Sequence, residues 1–313
     1  MADLHTPRTH IQYTRAQVFY SETTSICCAS SAEAVNSKYR RTMEDAYRVV
    51  DGYDGNPDHG FFAVYDGHGG RDMALYLETE LEKQIAAEIK AKPEGSVEEC
   101  LASAFLLTDM ESHKEGLEKS GSGSTAVVCL LRTGEAGRVA EEEGKKYLYA
   151  ANCGDARAVL CNGGTALRAS YDHKAGDPLE IARIEEAGGF VSNKHGSHRV
   201  LGFLAVARSF GDHALKKFVP ATPFTAQYEL TEESEFVIIA CDGVWDVLED
   251  SEAVELVREY VAGWVGTPAA AAEGKEEKTA DPRAMAADML VEAALDKGSR
   301  DNITCICVFL SKS

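Results

Sequence analysis

The chain has 313 residues, enough for one large domain or two ordinary ones, with the 44% hydrophobic and 27% charged content of a globular protein in water. Its 32 basic and 51 acidic residues leave a formal charge of −19. Such a surface repels nucleic acid and anionic membranes, and a phosphorylated substrate would need compensating cations at its site.

The nine cysteines form no CxxC pair, which disfavours a zinc ribbon or a redox motif and fits buried free thiols in a reducing compartment. The first residues carry no apolar signal core, no apolar run approaches about 18 residues, and position 2 is Ala, so myristoylation is excluded. The expectation is a protein of the cytoplasm or nucleus, neither secreted nor membrane-spanning.

In chain order, residues 1–22 read as a polar arm or edge strand. Short β-type runs follow at 24–30 and 46–52, and a stronger one at 60–66. Met73, Leu77, Leu81 and Ile85 then recur every four residues, the spacing of an amphipathic helix. Residues 97–118, with Leu101, Phe105, Thr108 and Met110, predict a second helix. Three strands are expected at 124–132, 146–152 and 156–162, and a short helix with a glycine stop at 177–189. Residues 190–222 hold no sustained period and read as an irregular surface subdomain. Strands "FTAQYEL" and "EFVIIACD", a helix over 251–264, a low-complexity insertion at 266–282, a helix ending at Gly298 and the closing strand "NITCICVFL" complete the chain. This order lacks regular β-α-β alternation. It predicts an α+β fold of largely antiparallel sheets with helices segregated on the outside, in one domain over 23–313.

The chemistry sits at strand ends. Asp66 ends "FFAVY", Asp242 ends "FVIIAC", Asp155 follows "YLYAANCG", Asp301 precedes "NITCICVFL", and Glu44 and Asp45 open "AYRVV". One Asp-Gly after a strand is usually a turn, but four such acids and an acidic pair are more than independent turns explain. If the strand ends converge, the carboxylates repel one another unless their pKa values rise or a hard cation binds. Mg²⁺ or Mn²⁺ takes oxygen ligands, and the carbonyl of Gly67 could add one. Beside such a site His68 becomes a general-acid candidate. Arg40 and Arg41 offer a guanidinium fork for phosphate.

Other chemistries fail on the residues. No cysteine has an arginine six positions on, and no DxDx[TV] run occurs. "GSGSTAV" (121–127) lacks the Gly-Lys-Ser/Thr ending of a phosphate loop and also fails GxSxG, so it reads as a tight entry to a strand. "DGHGGRD" does not fit the calcium-loop pattern.

Nine motifs carry a resemblance: "RRTMED" (40–45), "DGHGG" (66–70), "GSTA" (123–126), "ANCGDARAVL" (151–160), "DHK" (172–174), "RIEEAGG" (183–189), "LAVARSFGD" (204–212), "CDGVWDVL" (241–248) and "SRDNIT" (299–304). In order and spacing the chain resembles the metal-dependent protein serine/threonine phosphatases of type 2C. The resemblance implies a β-sandwich of two antiparallel sheets flanked on both sides by helices. It implies a dinuclear Mg²⁺ or Mn²⁺ site at one end and hydrolysis of phosphoserine and phosphothreonine by a water that the two ions activate. By motif, Asp66 would bridge both metals and the Gly67 carbonyl would bind the first. Asp242 and Asp301 would hold the second, and Glu44 and Asp45 would act partly through waters. Asp155 with Asp242 matches a weaker third metal site, Arg40 the phosphate-binding arginine, and His68 the general acid. Phosphorylated proteins are the expected partners of a monomer, with a flap at about 173–203. The departures are Lys38-Tyr39 before Arg40, Ala175 after "DHK", and "LAVARSFGD" itself. An inactive phosphoprotein-binding scaffold and a phosphohydrolase of small metabolites stay open as alternatives.

Overall fold

The structure is a computed structural model that describes residues 13–20, 26–194, 196–263 and 281–311, with backbone alone at 13–20 and 26–27. Its first half holds β1 (Tyr13–Tyr20), β2 (Ile26–Ala34), β3 (Ala46–Asp51), β4 (Gly60–Tyr65) and the two-residue β5 (Gly67–His68), then α1 (Asp72–Ala91) and α2 (Val97–Lys114). Next come β6 (Gly123–Ser124), β7 (Ala126–Thr133), β8 (Lys146–Cys153), β9 (Arg157–Asn162), β10 (Thr165–Arg168), α3 (Pro178–Glu186) and the hairpin β11 (Val191–Lys194) and β12 (Ser197–Val200). The last third runs β13 (Phe210–Gly211), β14 (Phe224–Glu229), β15 (Ser234–Ala240), α4 (Asp242–Trp245), α5 (Asp250–Gly263), α6 (Ala286–Asp296) and β16 (Ile303–Leu310).

Two sheets form the frame, one in the order β1-β2-β16-β15-β9-β10 and the other β14-β8-β7-β4-β3. Every pairing in them is antiparallel. β1 is thus an edge strand beside β2; residues 1–12 and 21–22 of the expected arm lie outside the described residues. Side chains alternate between two buried faces. In β4, Phe62 and Val64 meet Ile239, Ile306 and Val308 of the facing sheet, whereas Phe61, Ala63 and Tyr65 turn outward onto Leu77, Leu81 and Phe105 of α1 and α2. In β16, Ile306 and Val308 point in, and Cys305 and Cys307 point out onto Val254, Val257, Leu290 and Val291 of α5 and α6. This burial on both faces is why these strands read as unbroken apolar runs. It also gives the helix–sheet–sheet–helix layering expected from the sequence.

The differences are local. α2 stops at Lys114, short of 118, and Met110 is exposed. Residues 190–222 are less irregular than their pattern suggests, since they contain the β11–β12 hairpin and β13. A small core of Ala175, Ile184, Val200, Ala207 and Val219 holds this region together. Residues 266–280 of the low-complexity stretch lie outside the described residues. Among the described side chains, eight cysteines are buried and none forms a disulfide. Among the described residues no helix is long and apolar enough to cross a membrane.

Candidate metal centre

The register of the two sheets brings their acidic ends together. Asp66 leaves β4, Asp155 lies in the turn from β8 to β9, and Asp242 opens α4 directly after β15. One carboxylate oxygen from each lies within 4.8 Å of the other two. A second group joins Asp45, Asp66 and the thiol of Cys241 over the same range. Glu44 and Asp301 fall in neither group. The Glu44 carboxylate faces the amide of Gly70 at 3.4 Å, and Asp301 pairs with Arg40 and accepts the amide of Asn302 at 2.7 Å.

Proton affinities follow from that crowding. Asp66 is pushed well above the usual carboxylate range, first by burial and then by Asp242, Asp45, Asp155 and Asp301. Asp242 is raised likewise, by burial and then Asp155, Asp301 and Asp246. Asp155 rises to about 6 through burial, opposed by Lys174. Asp45 rises to about 7 through burial, although the Thr304 hydroxyl donates to it at 2.7 Å. Asp301 is raised by burial and restrained by Arg40. Burial and the neighbouring acids also keep the Cys241 thiol protonated, and it accepts the amide of Thr304 at 3.1 Å. It is therefore a poor soft ligand beside hard ones.

These donors fit a hard cation. They are carboxylate oxygens, converging and mutually repelling, and a divalent ion would reverse the field that raises their pKa values. The backbone adds to the fit. Gly67 has no room for a β-carbon, because the carbonyl of Glu44 occupies that space. Asn302 ties the segments together, accepting the Glu44 amide at 2.9 Å and donating to the carbonyls of Val35 at 2.9 Å and Thr42 at 3.0 Å.

Arg40 is exposed at the rim, and His68, in β5, bonds to the carboxylate of Asp212 at 2.7 Å. Sequence reasoning gave Asp212 no role, although it ends one of the nine motifs. It also passed over Lys174, whose ammonium lies 2.7 Å from Asp246 and 4.0 Å from Asp155. Each lies in one of the nine motifs, but its partner is far away in the chain, so the motif alone gives it no role.

Comparison with known proteins agrees with this geometry. Residues 30–303 match the family model for protein phosphatase 2C. The chain is 38% identical over 284 residues to protein phosphatase 2C homolog 1 of Saccharomyces cerevisiae, covering 89% of this chain and 92% of that protein. It is 36% identical to protein phosphatase 2C 56 of Arabidopsis thaliana, covering 92% and 67%. The crystal structure of serine-threonine phosphatase 2C from Toxoplasma gondii superposes with a TM-score of 0.72 at 20% identity, over 95% of this chain and 99% of that one, a likeness of fold. The chain belongs to the protein phosphatase 2C family, whose general function is metal-dependent dephosphorylation of serine and threonine residues in proteins.

Proposed function

We propose that this protein hydrolyses phosphoserine and phosphothreonine with two divalent cations, Mg²⁺ or Mn²⁺, held by Asp66, the Gly67 carbonyl, Asp242 and Asp301. The observation that carries the reading is the convergence of Asp66, Asp155 and Asp242 within 4.8 Å. Asp155 with Asp242 offers a third, weaker position, and Glu44 and Asp45 supply outer carboxylates. When bound, such ions lower the pKa of a coordinated water and offset charge developing on the phosphoryl oxygens.

The chain's own groups complete the reaction. Arg40, exposed at the rim, presents two parallel N–H donors to the phosphate and orients it for in-line attack. His68 stands two residues beyond Asp66 and gives a proton to the departing serine or threonine oxygen. No covalent phospho-enzyme is required, which fits the absence of the nucleophile motifs of other phosphatases. We further propose a single phosphatase domain over 23–313, acting as a monomer in the cytoplasm or nucleus.

Phosphate release from a phosphothreonine peptide tests the reading. It should require Mn²⁺ or Mg²⁺ and stop with EDTA. Tight binding of the peptide in the presence of Mn²⁺ without its consumption would favour the scaffold alternative instead. Faster turnover of small phosphate esters than of phosphopeptides would favour the metabolite phosphohydrolase.

A further inference from the structure

We propose that Asp212 is a positioning residue for His68, engaging its Nε2–H and fixing the orientation of the ring so that the Nδ1–H of the protonated imidazole is the proton given up; the inference rests on the general-acid role given to His68 above. The pair is built by three chain segments. Gly123 of β6 lies opposite His68 of β5 on one side and Gly211 of β13 on the other. His68 Nε2 and Asp212 Oδ2 are 2.7 Å apart. Both atoms crowd the α-carbon of Gly123 so closely that no β-carbon fits there. The small residues of "GSGSTAV" thus have a reason beyond strand entry: they let an imidazole–carboxylate pair lie flat on the backbone.

Asp212 is held rigidly. Its side chain is 7% exposed, against 28% for His68. The Ser209 hydroxyl donates to the same oxygen, Oδ2, at 2.5 Å. Its backbone sits at φ 43°, the left-handed region that a non-glycine residue occupies only when its surroundings enforce it. Those surroundings are visible. The Asp212 amide donates to the Ser122 carbonyl at 3.3 Å, and its own carbonyl accepts the Leu215 amide at 2.7 Å. The preceding amide, of Gly211, donates at 2.8 Å to Asp109 on α2, which also holds Lys216 at 3.0 Å. The bonds to His68 and Ser209 keep the Asp212 carboxyl below the usual range, against its burial. It is therefore an ionised acceptor, and Nε2 of His68 carries the hydrogen between them. One ring nitrogen is thereby committed to the protein, which sets how the ring presents its other edge, as in other histidine–carboxylate pairs.

The test compares wild type with Asp212→Asn, Ser209→Ala, His68→Gln and the double variant His68→Gln/Asp212→Asn, each in full-length protein with saturating Mn²⁺. A phosphothreonine peptide has a poor leaving group that needs a proton, whereas p-nitrophenyl phosphate does not. For Asp212→Asn, kcat on the peptide should fall by roughly 100-fold, within the range for general-acid catalysis, with KM unchanged and p-nitrophenyl phosphate turnover nearly preserved. Ser209→Ala should show the same split in weaker form. The double variant should be no slower than His68→Gln, because residues acting as a unit are not additive. In ¹⁵N-histidine-labelled protein, a low-field Nε2–H resonance should be present in wild type and missing in both Asp212→Asn and His68→Gln. Equal losses on both esters, additive losses in the double variant, or persistence of the resonance in Asp212→Asn would overturn the assignment. The resonance needs neither metal nor substrate. If wild type turned over neither ester, the functional reading would fail while the spectrum still decided whether the pair exists.

Discussion

The carbonyl oxygen of Glu44 lies over the α-carbon of Gly67, closer than any β-carbon there could tolerate. The motifs "RRTMED" and "DGHGG" therefore meet through bare backbone. Gly67→Ala must push that carbonyl aside and shift the peptide following Asp66. Overpacking of this kind costs about 1–3 kcal/mol. We expect that loss in denaturant unfolding, and at least a ~10-fold drop in turnover at saturating Mn²⁺, since reacting groups misplaced by about 1 Å lose rate on this scale. Wild-type stability together with wild-type turnover would show that the contact is dispensable.

Asp66→Asn separates the cost of the acidic cluster from its use. In metal-free protein, Asp66 is half-buried and crowded by Asp242, Asp45, Asp155 and Asp301. Removing its charge relieves that repulsion, so the variant should melt higher than wild type in EDTA. With Mn²⁺ the order should reverse. A ligand at about 100 times its Kd adds about 2.7 kcal/mol to the folded state, and only wild type should show that gain. Turnover should vanish in parallel. Thermal melts with and without Mn²⁺ check both halves, and a variant that kept metal-dependent turnover would remove Asp66 from the centre.

How much of this was legible depended on whether a residue's partner was local. β4 could be read because both its faces are buried, so Phe61 to Tyr65 form one apolar run ended by Asp66. α1 could be read because Met73, Leu77, Leu81 and Ile85 are all fully buried on one face. The acids could be read as a group because each sits at a strand end. The β11–β12 hairpin could not, because Ser192 to Arg199 is polar on both faces and carries no period. Nor could β5, β6 and β13, each two residues long and paired across distant parts of the chain. Asp212 and Lys174 were hidden because their contacts span 144 residues and 72 residues of chain.

His173 supplies a pH signature independent of the acidic cluster. Burial, reinforced by Arg208, pushes its pKa down to about 4 from the ordinary histidine value of 6.5. Its ring lies in an edge contact with Tyr171, and Nδ1 is 3.2 Å from the Gly154 carbonyl. A depressed histidine must stay neutral to fold. Its contribution is complete above pH 6.5 and is lost as pH falls towards 4, because only the unfolded chain takes up the proton in that window. Between pH 8 and pH 5 this amounts to about 2 kcal/mol. His173→Gln should be less stable than wild type at pH 8, but should lose about 2 kcal/mol less on moving to pH 5. Denaturant titrations at the two pH values measure the difference, and parallel pH profiles would mean that His173 is not buried neutral.

Arg40 and Asp301 have competing tasks. The guanidinium pairs with the Asp301 carboxylate at the rim, with 46% and 31% of the two side chains exposed. The proposed function asks Asp301 to hold a cation and Arg40 to hold a phosphate, so that pair must open when both ligands bind. Exposed ion pairs contribute only about 0–1 kcal/mol, so opening it is cheap. Its loss should nevertheless be measurable. In Arg40→Ala, Asp301 has no competing cation, and Mn²⁺ affinity by calorimetry should hold or rise up to ~5-fold, the equivalent of about 1 kcal/mol. The phosphopeptide should suffer in the opposite sense. Loss of a bidentate, charge-assisted contact worth roughly 1.5–3 kcal/mol should raise KM by about 10- to 100-fold. Arg40→Lys keeps the charge without the fork, so its KM should lie between those of Ala and wild type. The two titrations must move apart for the assignment to stand. If Mn²⁺ affinity fell together with phosphopeptide affinity, Arg40 would be a support of the metal centre and not its phosphate clamp.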